Sequence, residues 1–154
     1  MKKRIIRFAV ALSMMLTVLP VMNEGGSISG GISISAAESA KTSDYVTIAE
    51  EKYKISETTS LSLVGDKLTN EDVKKIAKLK NLTLLSLDYN QISDITPLSK
   101  LTNLTNLYLY GNISDLKPLA KLTKLTELNL EKNNISDSDI KWLKKQLKNT
   151  NISA

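Results

Sequence analysis

"LTLLSLDYNQISDITPLSKLTN", residues 82–103, holds leucines three and two apart before a single asparagine, then apolar residues every third position. A uniform helix would repeat every 3.6 residues and a uniform half-buried strand every two, so this stretch is neither throughout. Leu82, Leu85, Leu87, Asn90, Ile92, Ser93, Asp94, Pro97, Leu98, Leu101 and Thr102 define the pattern LxxLxLxxNxISDxxPLxxLT. It returns from Leu104 and, in part, from Leu125, with the middle leucines Leu85, Leu107 and Leu128 marking each copy. Leu61 opens a weaker copy, in which Thr58 replaces the first leucine and Asp66 the asparagine.

Each part of the unit has a local physical reading. In xLxLx, alternate side chains of a strand point to opposite faces, so Leu85 and Leu87 go inward while Leu84, Ser86 and Asp88 go outward. Asn90, Asn112 and Asn133 follow the strands as a ladder, and a buried Asn amide satisfies backbone donors and acceptors that a turn would orphan. The period of three in Ile92, Ile95, Leu98 and Leu101 fits 3₁₀ turns, with Ser93 and Ser114 expected as caps and Pro97 and Pro118 fixing the first turn. One unit cannot hide its own leucines, so the units must stack. The residue missing between Asn112 and Ile113 falls in a turn and leaves the inward set unchanged.

The flanks read as caps. "YVTIAEEKYKI" (45–55) alternates on either side of Glu50 and Glu51 as a hairpin, and "TNEDVKKIAKL" (69–79) is a capped helix that enlarges the first coil. "ISDSDIKWLKKQLKN" (135–149) starts a second helix at Ser136 and Asp139, with Ile140, Leu143 and Leu147 on one face. The divisions expected are 1–37, signal peptide and Gly/Ser/Ile-rich tract; 38–57, hairpin cap; 58–135, repeats; and 136–154, capping helix and tail.

The opening "MKKRIIRFAVALSMMLTVLPVM" sets Lys2, Lys3, Arg4 and Arg7 before an uncharged run at 8–22, the form of a secretory signal peptide. A membrane anchor is the competing reading, but a span needs about 20 apolar residues. Cleavage after Ala37 would take four basic residues and Glu24 from the chain, reducing a net charge of +5 to +2. No arginine follows Arg7, which disfavours nucleic acid. The chain has no Cys and no His, which removes thiolate and imidazole catalysis and the usual zinc ligands. No metal site or cofactor is expected, and Asp137 and Asp139 are too few for calcium.

The repeat signature resembles the 22-residue leucine-rich repeats of bacterial internalins and internalin-like secreted proteins, over about residues 58–143. The resemblance implies an α/β right-handed solenoid, with a short parallel sheet on the concave face and 3₁₀ turns and helices on the convex side. It also implies a secreted, extracellular bacterial protein, sometimes surface-associated, that is not an enzyme and binds a host or bacterial protein through the concave sheet. Internalins usually add a helical cap, an immunoglobulin-like domain or a wall anchor; without these the expectation is a minimal, freely secreted monomer with no membrane span after processing.

In-register stacking predicts three outward columns: Ser60, Leu84, Asn106, Glu127; Ser62, Ser86, Tyr108, Asn129; and Val64, Asp88, Tyr110, Glu131. Candidate partner contacts are therefore Leu84, Ser86, Asp88, Asn106, Tyr108, Tyr110, Glu127, Asn129 and Glu131. Rigid tyrosines rimmed by carboxylates suit recognition, but aromatic residues also favour sheets because they pack across strands, and both readings stand. Lys100, Lys117, Lys121, Lys124, Lys141, Lys144, Lys145 and Lys148 fall on the other side, either as a solvated surface or as a surface for anionic wall polymer or acidic lipid. The second function considered is a wall- or membrane-associated surface protein held by its N-terminus and that lysine face. Trp142 is expected to close the final coil.

Overall fold

A computed structural model describes residues 44–111 and 113–154. The segment expected to be a signal peptide with a Gly/Ser/Ile-rich tract, the first residues of the expected hairpin cap (38–43) and Asn112 lie outside the described residues. The elements follow the repeat order. Strands β1 (Tyr45–Ile48) and β2 (Glu51–Lys54) precede β3 (Ser60–Ser62), helix α1 (Asn70–Ile76) and β4 (Leu84–Ser86). A 3₁₀ turn (Thr96–Lys100), β5 (Asn106–Tyr108), a second 3₁₀ turn (Lys117–Lys121), β6 (Glu127–Asn129), α2 (Asp137–Gln146) and β7 (Asn151–Ser153) complete the chain.

The five short strands β3 to β7 form one parallel sheet in sequence order. Leu61, Leu85, Leu107, Leu128 and Ile152 meet one another across it in strict register. The phase expected for the outward columns is therefore the phase observed, and the shorter third coil leaves it intact: Ile113 and Leu116 are both buried. Among the described residues, twenty-nine buried ones form one continuous core cluster, nearly all Leu or Ile. Full burial of a leucine is worth about 1.5–3 kcal/mol, so stacking supplies what no single coil could.

Two ladders tie the coils together. Asn90 accepts from Leu68 N–H at 2.9 Å and donates to the carbonyls of Leu63 and Leu87 at 2.6 and 2.9 Å. Asn133 repeats the arrangement on Ile113 N–H, Leu109 and Leu130. A threonine ladder runs before the strands: the hydroxyls of Thr83, Thr105 and Thr126 donate to the carbonyls of Thr59, Thr83 and Thr105 at 3.0–3.1 Å. Thr fits because its β-branched side chain suits extended backbone while its hydroxyl reaches the neighbouring coil.

Three local expectations change. The hairpin turns at Ala49 and Glu50, both at positive φ, so Glu51 is not a turn residue but pairs with Ile48 inside β2. Ser93 and Ser114 do not cap the 3₁₀ turns. Asp94 accepts from Thr96 N–H at 2.9 Å and Asp115 from Lys117 N–H at 3.0 Å, because a carboxylate two residues ahead of the donor closes an Asx turn. Ser93 N–H instead donates to the Asn70 side chain. The segment after α2 is no loose tail: it forms β7, making five strands where the repeat pattern showed four, held by Leu130 N–H to Ser153 at 2.7 Å and Asn151 N–H to Thr126 at 2.8 Å. Ser136 caps α2 as expected, accepting from Asp139 N–H at 3.2 Å. Among the described residues no helix is long and apolar enough to cross a membrane.

Candidate functional site

Parallel strands in register turn three sequence positions per coil into three columns on the sheet face. Leu84, Asn106, Glu127 and Asn151 form one, and Ser86, Tyr108, Asn129 and Ser153 the next. The strand-to-strand bonding continues past the three-residue strands through Leu87, Tyr89, Leu109 and Leu130 N–H groups, which carries the third column, Val64, Asp88, Tyr110 and Glu131, along with it. All nine candidate residues therefore share one face. Those three columns carry three carboxylates, Asp88, Glu127 and Glu131, and no cation.

The tyrosines are displayed but not free. Tyr108 is half-buried and its hydroxyl donates to Glu127 Oε2 at 2.9 Å, the same oxygen that accepts from Asn106 Nδ2 at 2.9 Å. That carboxylate, aided by partial burial, holds the Tyr108 phenol above its ordinary pKa, because ionising it would place two negative oxygens together. Asp88 Oδ1 accepts from Tyr110 N–H at 2.8 Å, so this carboxylate positions the backbone beneath the Tyr110 ring. Ser86 is corrected as a contact residue: paired in register with Tyr108, its small side chain is only 8% exposed and donates to Asp88 at 3.3 Å.

The residue that sequence reasoning missed is Tyr89. It is 64% exposed, and its ring centroid lies 4.5 Å from that of Tyr110, tilted by 39°. The Tyr110 hydroxyl raises its phenol pKa. Its backbone is left-handed, at φ 59. Counting four residues on from the middle leucine of each coil gives Gly65, Tyr89, Gly111 and Lys132, all at positive φ, and two of the four are glycine. A tyrosine there carries a conformational cost of about 1–3 kcal/mol that glycine avoids. The signal in the sequence was that contrast, an aromatic at a position where neighbouring copies place glycine. Val64, 37% exposed, belongs to the same column as Tyr110 two coils away, with Asp88 on the coil between them.

Elsewhere, Trp142 is 38% exposed and lines a cleft of about 240 Å³ with Ser114, Asp115, Leu116, Lys117 and Asp139. A cleft of about 460 Å³ beside β7 has a mixed lining that includes Ile135, Ile140 and Ile152 together with Glu131, Asp137 and Lys144. Among the described residues no group of acidic side chains is placed to hold a metal ion.

Comparison with known proteins places this geometry. The family of leucine rich repeats, two copies, matches at residues 80–121 and 102–149. No curated protein matches. Among solved structures, internalin C2 of Listeria monocytogenes is 42% identical with a TM-score of 0.55, the match covering 62% of this chain and 41% of that one. The internalin InlF of the same species is 36% identical with a TM-score of 0.56, covering 68% and 31%. A leucine-rich-repeat protein of Leptospira interrogans is 31% identical with a TM-score of 0.54, covering 64% and 26%. The chain thus spans less than half the length of each of these proteins.

Proposed function

We propose that this chain, an internalin-like leucine-rich-repeat protein, is a secreted bacterial binding module that captures a protein partner through the outward side of its sheet and performs no chemistry itself. The observation that carries the reading is the Tyr89–Tyr110 pair, since a tilted aromatic contact between a 64% exposed ring in a left-handed backbone and a half-buried one is not what burial alone selects. Rigid aromatic rings lose little entropy on binding and offer an apolar face with a polar tip, which is why they concentrate binding energy at interfaces. Three carboxylates without a cation in the columns favour a partner surface that presents lysine or arginine, and such side chains also sit favourably over tyrosine faces. Leu84, Asp88, Asn106, Tyr108, Glu127, Asn129 and Glu131 form the remainder of the proposed contact surface, in the extracellular medium or at the bacterial surface.

Capture from host-cell and bacterial surface extracts, followed by titration with the identified partner, tests this. Tyr89→Ser with Tyr110→Ser is expected to weaken binding about tenfold or more while costing no more than about 1.5 kcal/mol of stability, the order of an aromatic pair. Undiminished binding by that variant would refute the role of the pair.

A further inference from the structure

The segments that enter strands β4 to β7 carry an uncompensated charge. Residues 77–83, 99–105, 120–126 and 144–150 contain Lys78, Lys80, Lys100, Lys121, Lys124, Lys144, Lys145 and Lys148 and not one Asp or Glu. Every one of these lysines is exposed. Lys78, Lys100 and Lys121 each stand immediately before a buried leucine, Leu79, Leu101 or Leu122, and six residues before the first residue of β4, β5 or β6. They therefore fall in one row along the stack, and Lys145 and Lys148 continue it around Leu147 in the last coil.

Lysine at the end of a helical turn has an ordinary explanation, since it complements the carbonyl end of the helix dipole. That accounts for Lys100 and Lys121 but not for Lys80, Lys124 and Lys148, which lie beyond the helical turns. Among the described residues the ion pairs are Lys54–Glu57, Lys74–Glu71 and Lys75–Asp72, all elsewhere, so the row has no carboxylate counter-charge among them. Its members are close. Asn103 donates to the Lys80 carbonyl at 3.1 Å and accepts from Lys124 Nζ at 2.8 Å, linking three coils on this side. Lys80 has its pKa lowered, first by partial burial and then by the charge of Lys100. Neighbouring coils are about 5 Å apart at the strands, well inside a Debye length of about 8 Å, so like charges in such a row repel one another through the solvent.

We propose that this lysine row is a second binding site, separate from the sheet face, for a linear polyphosphodiester that lies along the stack with its phosphates against successive coils. A single file of cations matches a thread with one charge per repeat. A bilayer fits less well, because these segments contain no exposed large apolar residue to enter lipid: those among the described residues are Tyr45, Val64, Tyr89 and Trp142. Nucleic acid fits less well, because the segments hold neither aromatic side chains nor arginine on which bases would stack.

Fluorescence anisotropy of labelled poly(glycerol phosphate) against the purified chain, between 50 and 200 mM salt, tests the site. Binding is expected to be saturable and to weaken with salt as released counter-ions dictate. The triple variant Lys78→Gln, Lys100→Gln, Lys121→Gln is expected to bind about tenfold or more weakly, with a logarithmic salt slope shallower by about two. The charge-matched variant Lys52→Gln, Lys67→Gln, Lys132→Gln is expected to stay within about twofold of the unaltered chain. Lys80→Gln, Lys124→Gln, Lys148→Gln serves as a second probe of the row should the first variant fail to fold by circular dichroism. Equal losses in the charge-matched variant, absence of saturable binding at 50 mM salt, or tighter binding to phosphatidylglycerol vesicles than to the polymer would each overturn the proposal. Retention of partner capture by the row variants separates this site from the sheet face.

Discussion

Replacing Asn90 with Ala leaves three backbone groups without their partners: the Leu68 N–H and the Leu63 and Leu87 carbonyls, bonded now at 2.9, 2.6 and 2.9 Å. Asn90 is 5% exposed, so water does not readily replace the lost amide. A buried unsatisfied polar group costs about 1–3 kcal/mol, which for three groups puts the variant about 3–9 kcal/mol below the parent. Domains have only about 5–15 kcal/mol to lose, so this single change approaches global unfolding. Asn133 is the internal control. It makes the equivalent bonds, at 2.6, 2.7 and 2.7 Å, but is half-exposed, so water takes over part of its role and Asn133→Ala is expected to cost about 1–2 kcal/mol. Asn90→Asp sharpens the test: it keeps the size and the acceptor for Leu68 but turns an anionic oxygen toward two carbonyls. At pH 7 it is expected to be at least as damaging as Ala, with partial recovery once acid protonates the new carboxyl. Urea unfolding followed by far-UV circular dichroism and by Trp142 fluorescence measures all three, and coincidence of the two signals checks that the coils unfold together. Equal costs at Asn90 and Asn133, or a cost under about 1 kcal/mol at Asn90, would show that the amide ladder does not hold the coils by satisfying buried backbone.

Two further outcomes follow from the packing and the caps. Leu107→Ala empties the middle of the central strand, where the side chain is fully buried between Leu85 and Leu128, and is expected to cost about 2–5 kcal/mol in the same urea assay, with no direct effect on the outward columns. Asp72 accepts from the Thr69 N–H and hydroxyl, each at 3.0 Å, and its pKa is lowered chiefly by the bond from that N–H. A lowered folded pKa means the cap contributes in full above the unfolded value of about 3.9 and loses its contribution as pH falls through the folded one. Asp72→Ala is therefore expected to cost about 1 kcal/mol at pH 7 and progressively less as pH falls below about 4; a cost that stays constant as pH falls would contradict the cap.

Much of the candidate surface was legible without coordinates because a strand sends alternate residues to opposite faces, and the repeat set the phase of every coil. Leu84, Tyr108 and Glu127 could be placed outward from spacing alone. Tyr89 could not, since strand alternation ends before it and its display depends on a left-handed turn and on the neighbouring Tyr110 ring. Ser86 was misjudged for the complementary reason: alternation gives the direction of a side chain, not what the adjacent strand lays beside it. The strand β7 was hidden because Asn151 to Ser153 offers only Ile152 as an inward residue, and so short a strand forms only on an edge already built by β6.

By itself, the order of amino acids determined the unit, its length, the inward leucines and the asparagines that close each coil, because these follow from backbone periodicity and from the bonding capacity of single side chains. Only the tertiary structure decided which polar side chains finish the turns, where the sheet ends, which tyrosines meet and which lysines align. Those features are set by distances between residues about twenty positions apart along the chain, which exist only once one coil has settled on the next.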